Sequence, residues 1–157
     1  MASRRLHLNL FIHGRGHHEA AWRHPSASKL ALTDLRYYVD LARKAEAGCF
    51  DSIFLADTLA AGDDIASAPR TWLEPVTTLA ALAGATSRIG LIATCSTTYT
   101  EPFNLARQFA SLDHMSNGRV GWNIVPPGWW RRPAITADRD SRATPNAMNA
   151  PRNTCAW

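Results

Sequence analysis

The sequence has few cysteines and no long apolar run. Its three cysteines, Cys49, Cys95 and Cys155, are an odd number without a Cys-x-x-Cys spacing, which argues against a disulfide framework and against a structural zinc site. No stretch of eighteen or more apolar residues occurs, so no membrane-spanning helix is predicted. The first five residues lead into a predicted strand and not into the apolar core of a signal peptide. Reduced thiols and a cytoplasmic location are the default expectations.

An excess of either charge is lacking in most of the chain, because positive and negative side chains nearly balance there. Residues 1–125 contain 12 Lys and Arg against 11 Asp and Glu, whereas residues 126–157 contain 5 Arg and 2 Asp. The formal net charge of +4 therefore comes mainly from the last segment, and it is weak evidence for a nucleic-acid partner of the rest. With 46% hydrophobic and 19% charged residues, the composition is that of a globular chain.

Two familiar motifs are incomplete in the segment after the first apolar run. Gly14 and Gly16 resemble the start of a dinucleotide fingerprint, but Glu19 stands where the third glycine belongs. The zinc-protease pattern that could begin at His18 fails because Trp22 replaces its second histidine. The histidines of this segment form no recognised ligand set, so we predict no metal site and expect a polar loop packed on Trp22.

Strand and helix patterns alternate through residues 1–125. Apolar runs predict strands at 6–12, 50–56, 89–94 and 120–125, the last of them buried. Helices are predicted to begin after Thr33, Glu74 and Glu101 and to end at Gly48, near Gly84 and at Asn117. The third helix is expected to turn Phe103, Ala106, Phe109, Ala110 and Leu112 inward. This order predicts a parallel α/β sheet with right-handed crossovers, either an open doubly wound sheet or part of an eight-stranded barrel, which needs roughly 250 residues.

Polar residues at the carboxyl ends of the predicted strands form the candidate site, because ligands bind there in parallel α/β folds. Thr94 ends the third strand and Asn123 lies in the fourth. Asp57 follows the second strand, and its spacing leaves open whether it caps a helix or contacts a ligand. Cys95 is either a nucleophile or a small packing residue, with packing favoured, and Cys49 is expected in the core.

Residues 126–157 have a different composition. They contain five of the nine prolines and no Leu, Val or Phe, so we predict a largely disordered tail after a domain of residues 1–125. Two origins stay open, a natural basic tail and out-of-frame translation, and the abrupt change favours the second. An alternative function follows from this tail, a non-enzymatic binding module in which Trp129-Trp-Arg-Arg132 contacts nucleic acid by stacking and charge.

Five motifs in one order resemble a known family. They are Gly16-His17 with Trp22-Arg-His-Pro25, Phe50-Asp-Ser-Ile-Phe-Leu-Ala-Asp57, Arg88-Ile-Gly-Leu-Ile-Ala-Thr94, Ser96-Thr-Thr-Tyr99 with Glu101-Pro102, and Ser111-Leu-Asp-His-Met115 with Gly118-Arg-Val-Gly-Trp-Asn-Ile-Val125. The chain resembles the amino-terminal half of the bacterial-luciferase-like FMN-dependent monooxygenases, in the group of the nitrilotriacetate, dibenzothiophene-sulfone and long-chain alkane enzymes. The resemblance implies about four βα units, half of a (β/α)8 TIM barrel, with FMN at the carboxyl face of the strands.

The resemblance also implies roles for single residues. Asp57, Thr94 and Asn123 fall at cofactor-binding positions, and His17 falls at a catalytic position over the flavin near the substrate. Reduced FMN would react with O2 to give a C4a-hydroperoxide in a dry site, which then oxidises a small organic substrate. A separate NAD(P)H:flavin reductase would supply the reduced FMN. The identity of the substrate is not readable from these residues.

The chain departs from the family pattern at Pro126-Pro127, where relatives continue with further βα units. We therefore expect a truncated polypeptide that is poorly active alone and binds FMN weakly, because the resemblance places the phosphate-binding residues in the second half. A sub-micromolar FMN affinity would contradict this expectation. Unpaired strand edges are also expected to favour self-association.

Overall fold

The computed structural model describes residues 6–18, 20–57 and 72–125. Within these ranges the elements follow the predicted alternation of strands and helices. They are β1 (Asn9–Ile12), a 3-10 turn (Ala21–Arg23), α1 (Leu35–Ala47), β2 (Ser52–Leu55), α2 (Pro75–Ala85), β3 (Gly90–Ser96), α3 (Pro102–Ser116) and β4 (Val120–Val125). The predictions for residues 126–157, including Cys155 and the Trp129-Trp-Arg-Arg132 segment, lie outside the described residues.

The four strands form one parallel sheet in the order β1-β2-β3-β4. Neighbouring helices contact each other, α1 with α2 and α2 with α3, and each packs on the sheet. Helices on a single face of a parallel sheet are the arrangement of a barrel segment, whereas a doubly wound sheet carries helices on both faces. Of the described helices, none is both long and apolar enough to cross a lipid bilayer.

The two faces of the sheet differ in burial. Side chains that point towards the helices form the core, and Ile53, Leu91 and Ala93 among them are 0% exposed. The opposite face, called the inner face below, carries Phe11, Phe54, Ile92 and Gly121, which are register partners across the four strands. A Cβ at Gly121 would lie 3.2 Å from Ile92 Cγ1, so a larger residue there would have to displace the Ile92 side chain by a few tenths of an ångström.

Both edge strands differ from their predictions. β1 begins at Asn9 and not at Leu6, because the Leu8 N–H donates to Asp51 Oδ2 at 2.7 Å outside any strand pairing. β4 has the predicted bounds but is not fully buried, since Trp122 is 38% and Ile124 is 56% exposed. Both strands pair on one side only in the described sheet, which leaves their other sides uncovered there.

The predicted inward face of α3 is confirmed for Leu112, which is buried, and for Phe109, which packs against the core, but it is wrong for its other three residues. Leu105, Leu112 and Ser116 are the buried residues of this helix, whereas Phe103 is 73% exposed and Ala106 and Ala110 are also exposed. Spacings of seven and four residues place the buried three on one helical stripe. The helix thus has two apolar stripes, one that contains Phe103, Ala106 and Ala110 and one that contains Leu105 and Leu112. Packing against α2 and β4 buries the second of them.

The structure corrects the predicted N-cap residue of α1 and confirms the predicted start of α2. Asp34, and not Thr33, caps α1, since its Oδ1 accepts from the Arg36 N–H at 3.0 Å. Glu74 caps α2 as predicted, and its carboxylate accepts from the N–H groups of Val76 and Thr77 at 2.9 and 2.8 Å. A proline in the first turn completes the α2 start.

A carboxylate from α1 holds the turn before β3. Glu46 Oε1 accepts from the N–H groups of Ser87, Arg88 and Ile89 at 2.9, 2.5 and 3.0 Å. Burial alone would raise the pKa of Glu46, but the three backbone donors outweigh it and the pKa is lowered from its usual value of 4.5. This carboxylate therefore stabilises the fold in its ionised form.

Replacing Glu46 with Gln should lower the free energy of unfolding by about 1–2 kcal/mol at pH 7, since bonds to a charged acceptor are lost at a partly solvated site. Because the pKa of Glu46 is lowered in the folded state, its contribution to the free energy of unfolding is complete above pH 4.5. The contribution disappears as the pH falls through the folded-state pKa. Urea titrations at pH 7 and pH 3.5 measure this difference. Glu101→Gln is the matched control, because Glu101 makes no side-chain cap bond; equal losses in both variants would contradict the prediction.

Candidate functional site

The long loop after β1 is held in place by hydrogen bonds from a side chain of the loop itself and from a side chain of α1. The Tyr37 hydroxyl donates to the Gly14 carbonyl at 2.7 Å. Arg15 donates through Nε and Nη2 to the carbonyls of Ser28 and Leu30, at 3.1 and 2.6 Å. Gly14 has a φ of +54°, a conformation that glycine adopts without strain. These bonds hold the turn that carries His13 and His17.

A cavity of about 300 Å³ opens at the carboxyl ends of β1 and β2. Its lining includes Asp57 and the rings of Phe11, His13, His17 and Trp72. The ring centroids of Phe11 and His17 are 4.8 Å apart, those of His13 and His17 are 5.2 Å apart, and those of His13 and Trp72 are 5.9 Å apart. One wall of the cavity is therefore aromatic, and its volume is at the lower end for small-molecule sites.

The other histidines of this loop serve the loop itself. His18 Nδ1 accepts from the Ala20 N–H at 3.1 Å, and His24 Nδ1 lies 2.6 Å from the Ser26 hydroxyl oxygen. Trp22 is 57% exposed, so the expected packing of the loop on this side chain is wrong. Among the described residues, no group of three or more His, Cys, Asp or Glu is placed to hold a metal ion.

Thr94 and Asn123 meet across neighbouring strands. They are register partners of β3 and β4, and Asn123 Nδ2 donates to Thr94 Oγ1 at 3.0 Å. Each lies two residues beyond a member of the inner-face row, Ile92 or Gly121, so strand alternation places both side chains on the inner face. Thr94 is 5% exposed, which makes it a buried hydroxyl at the carboxyl end of the sheet.

The structure thus divides the four predicted site residues into two pairs at one end of the sheet. His17 and Asp57 line the cavity, whereas Thr94 and Asn123 form a hydrogen-bonded pair next to it and are not part of its lining. The register of β2 and β3 places Thr94 at the level of Ala56, which is part of the cavity wall. A ligand in the cavity that extended along the inner face would reach both pairs.

The two described cysteines differ from each other. Cys95 is 7% exposed, and burial, with the negative charges of Glu74 and Asp57, raises the pKa of its thiol to about 11. The thiol is therefore protonated at neutral pH, which agrees with the favoured packing role and not with a nucleophile. Cys49 is exposed, so its predicted place in the core is wrong.

Sequence reasoning missed most of the aromatic wall. The alternation in β1 contained a signal for Phe11, because its neighbours Leu10 and Ile12 point to the other face of the sheet. Trp72 carried no such signal, since it precedes α2 in a segment without periodicity. The roles of Arg15 and Tyr37 in holding the loop also depend on contacts that are distant in sequence.

The model of the luciferase-like monooxygenase family matches residues 10–149 of this chain. The chain belongs to the luciferase-like monooxygenase family. N-acetyl-S-(2-succino)cysteine monooxygenase of Bacillus subtilis is 53% identical over 122 residues, which are 78% of this chain and 28% of that protein. Nitrilotriacetate monooxygenase component A of Aminobacter aminovorans is 44% identical over 136 residues, covering 79% of this chain and 30% of that protein.

Solved structures agree with this assignment. Riboflavin lyase with modified FMN and riboflavin superposes with a TM-score of 0.69 and 32% identity, over 78% of this chain and 30% of that chain. Dibenzothiophene-sulfone and long-chain alkane monooxygenases also match, so the predicted family and its group are confirmed. The predicted partial barrel is confirmed as well, and the chain spans less than a third of the length of these relatives. The family match extends past Val125, into residues that the structure does not describe.

Proposed function

We propose that this chain is the amino-terminal part of an FMN-dependent monooxygenase that oxidises a small organic substrate with O2. The family match and the monooxygenase names of its relatives support this activity. The observation that carries the proposal is geometric, namely that His17 and Asp57 line one cavity directly beside the Thr94–Asn123 pair. The alternative function, a nucleic-acid-binding module, has no support in these findings.

The side chains around the cavity fit a flavin. An isoalloxazine ring is flat, with apolar faces and one edge of alternating N–H and C=O groups. The Phe11 ring lies edge-to-face with His17, at 61° between their planes, and His13 stacks on His17 at 23°, so a flat ring in the cavity would meet aromatic side chains at both edges and faces. Asp57 is an acceptor, and Thr94 and Asn123 together offer donors and acceptors for the polar edge.

Each residue then has a defined task. Reduced FMN, when bound, would supply the electrons that activate O2. Asp57 would accept a hydrogen bond from a ring N–H and so orient the ring. Asn123 would hold the Thr94 hydroxyl in one orientation, and His17 would hold or donate a proton on the substrate side. Phe11 and Trp72 would exclude water from this space.

The proposal includes a separate reductase. One relative is named as component A of a monooxygenase, which supports a system in which another component provides reduced flavin. NAD(P)H:flavin reductase is the class of enzyme with the required chemistry, because it transfers electrons from a nicotinamide to free flavin. The expected cytoplasmic location would suit this supply and stays a prediction.

Flavin binding by the whole 157-residue chain tests the proposal. A ¹⁵N-labelled sample is titrated with FMN, with riboflavin and with adenosine monophosphate, and amide shifts are followed by NMR. Both flavins should shift the amides of Phe11, His17, Asp57, Thr94 and Asn123. Adenosine monophosphate has a phosphate and an aromatic base but no isoalloxazine, so it should leave these amides unchanged. The proposal is wrong if flavins at millimolar concentration shift none of them.

A further inference from the structure

The two histidines that line the cavity differ from the other histidines of their loop. Within the part of the chain that the structure describes, the imidazoles of His13 and His17 make ring contacts but no hydrogen bond. His18 and His24 instead use Nδ1 for groups of the loop itself. Both cavity histidines are also exposed, so their ring nitrogens are accessible to a ligand in the cavity.

A tight turn brings these two side chains together. The Gly16 N–H donates to the His13 carbonyl at 3.0 Å, and the φ angle of Gly16 is +127°, which glycine adopts without strain. The turn lets His13 stack on His17, with 5.2 Å between the ring centroids and 23° between the planes. One small group in the cavity can therefore approach a nitrogen of each ring.

The charges around the cavity favour an anionic group at this pair. Residues 13–24 contain two Arg and four His against one Glu. A protonated imidazole donates from both ring nitrogens, and its hydrogen bonds to a carboxylate are charge-assisted. Among the described residues of the cavity lining, Asp57 is the only carboxylate. Because like charges repel, an anionic group would lie away from Asp57 and towards the histidines.

We propose that His13 and His17 form a two-donor subsite for a carboxylate group of the substrate, which makes the substrate a small organic acid. This inference rests on the proposed function, because it places the acid in the cavity that is assigned to the flavin reaction. His13 is then a specificity-determining residue, and His17 supplies the second donor. Asp57 stays available for a ring N–H of the flavin.

Titration with succinate in the absence of flavin tests the subsite. The whole chain is labelled with ¹⁵N, and the imidazole nitrogens are followed by NMR at one fixed pH. Millimolar succinate should shift the ring nitrogens of His13 and His17 and leave those of His18 and His24 unchanged. Succinamide has the same carbon chain without the charges, and it should shift none of them. Equal shifts by succinate and succinamide, or no shift by succinate, would overturn the inference.

Variants of the pair test each donor. His13→Phe keeps an aromatic ring beside His17 and Trp72 but removes the nitrogen atoms, so the dissociation constant of succinate should rise about 10-fold. His17→Phe should have the same effect, measured at the His13 ring. His18→Phe is the matched control, because His18 belongs to the same loop but does not line the cavity, and it should leave the affinity unchanged. An unchanged affinity in both His13→Phe and His17→Phe contradicts the proposal.

A further titration separates a substrate carboxylate from the phosphate of FMN, which is also anionic. Succinate is titrated again in millimolar FMN and in millimolar riboflavin, and its two dissociation constants should agree within twofold. If FMN weakens succinate binding and riboflavin does not, the subsite binds the cofactor phosphate and the inference is wrong. The amides of Thr94 and Asn123 report flavin binding in the same samples, so a failure of the proposed function is seen separately.

Discussion

Replacing Arg119 with Met should lower the free energy of unfolding by about 3 kcal/mol. Arg119 Nε donates to the Ser116 carbonyl at 2.6 Å, and Nη2 donates to the carbonyls of Ala83 and Thr86 at 3.0 and 3.2 Å. Nη1 donates to the Ile89 carbonyl at 2.9 Å and to the Thr86 hydroxyl at 3.1 Å. One guanidinium thus joins the ends of α2 and α3 to the start of β3.

The size of this loss depends on the carbonyl groups that the Arg119 guanidinium now satisfies. Removing it leaves partly buried carbonyls without a donor, each of which costs about 1–3 kcal/mol, and the costs are not additive. It also removes a positive charge from the carboxyl end of α2, where the helix dipole favours one. Arg119→Lys should lose about half as much as Met, because an ammonium cannot match the planar fork of five donors.

Urea denaturation at one protein concentration measures these variants together. Arg107→Met is the matched control, because this arginine is exposed on α3 and its guanidinium lies over the Phe103 ring at 5.8 Å. Its loss should stay within about 0.5 kcal/mol, as is usual for surface positions. If Arg107→Met costs as much as Arg119→Met, the hydrogen bonds of the Arg119 guanidinium do not stabilise the fold.

Replacing Asp57 with Asn should weaken riboflavin binding about 10- to 100-fold. A carboxylate that accepts from a ring N–H contributes about 1.5–3 kcal/mol, whereas the amide offers a neutral oxygen and an unwanted donor. The affinity is measured in the same NMR titration as above. This change should also lower the raised pKa of the Cys95 thiol, since the negative charge of Asp57 is one of its causes.

Asp51→Asn is the control for that change. Asp51 lies at the opposite end of β2, where its carboxylate accepts from the Leu8 N–H and contacts His7. Its replacement should leave riboflavin affinity within twofold of the unaltered chain. Equal affinity in Asp57→Asn and Asp51→Asn, with the cavity amides still shifted by riboflavin, would show that Asp57 does not touch the ligand.

Part of the candidate site could be predicted from the sequence, because the end of a strand is marked by residues that are neighbours in the chain. A polar residue at the end of an apolar run marks the carboxyl end of a strand, and Asp57 and Thr94 were found in this way, whereas Asn123 lies inside the fourth strand. The hydrogen bond between Thr94 and Asn123 was not readable, since it depends on the register of β3 and β4. The place of Trp72 beside His13 likewise depends on how chain segments distant in sequence fold back on the cavity.

The sequence by itself determined which elements form and their order, because periodicity, caps and turn residues act over a few neighbours. It also determined the family, through motifs that keep one order along the chain. Only the tertiary structure decided which stripe of α3 is buried, that Arg119 joins three elements, and that one face of the sheet has no cover in the described residues. These outcomes depend on packing between distant segments, and the local pattern is compatible with more than one such packing.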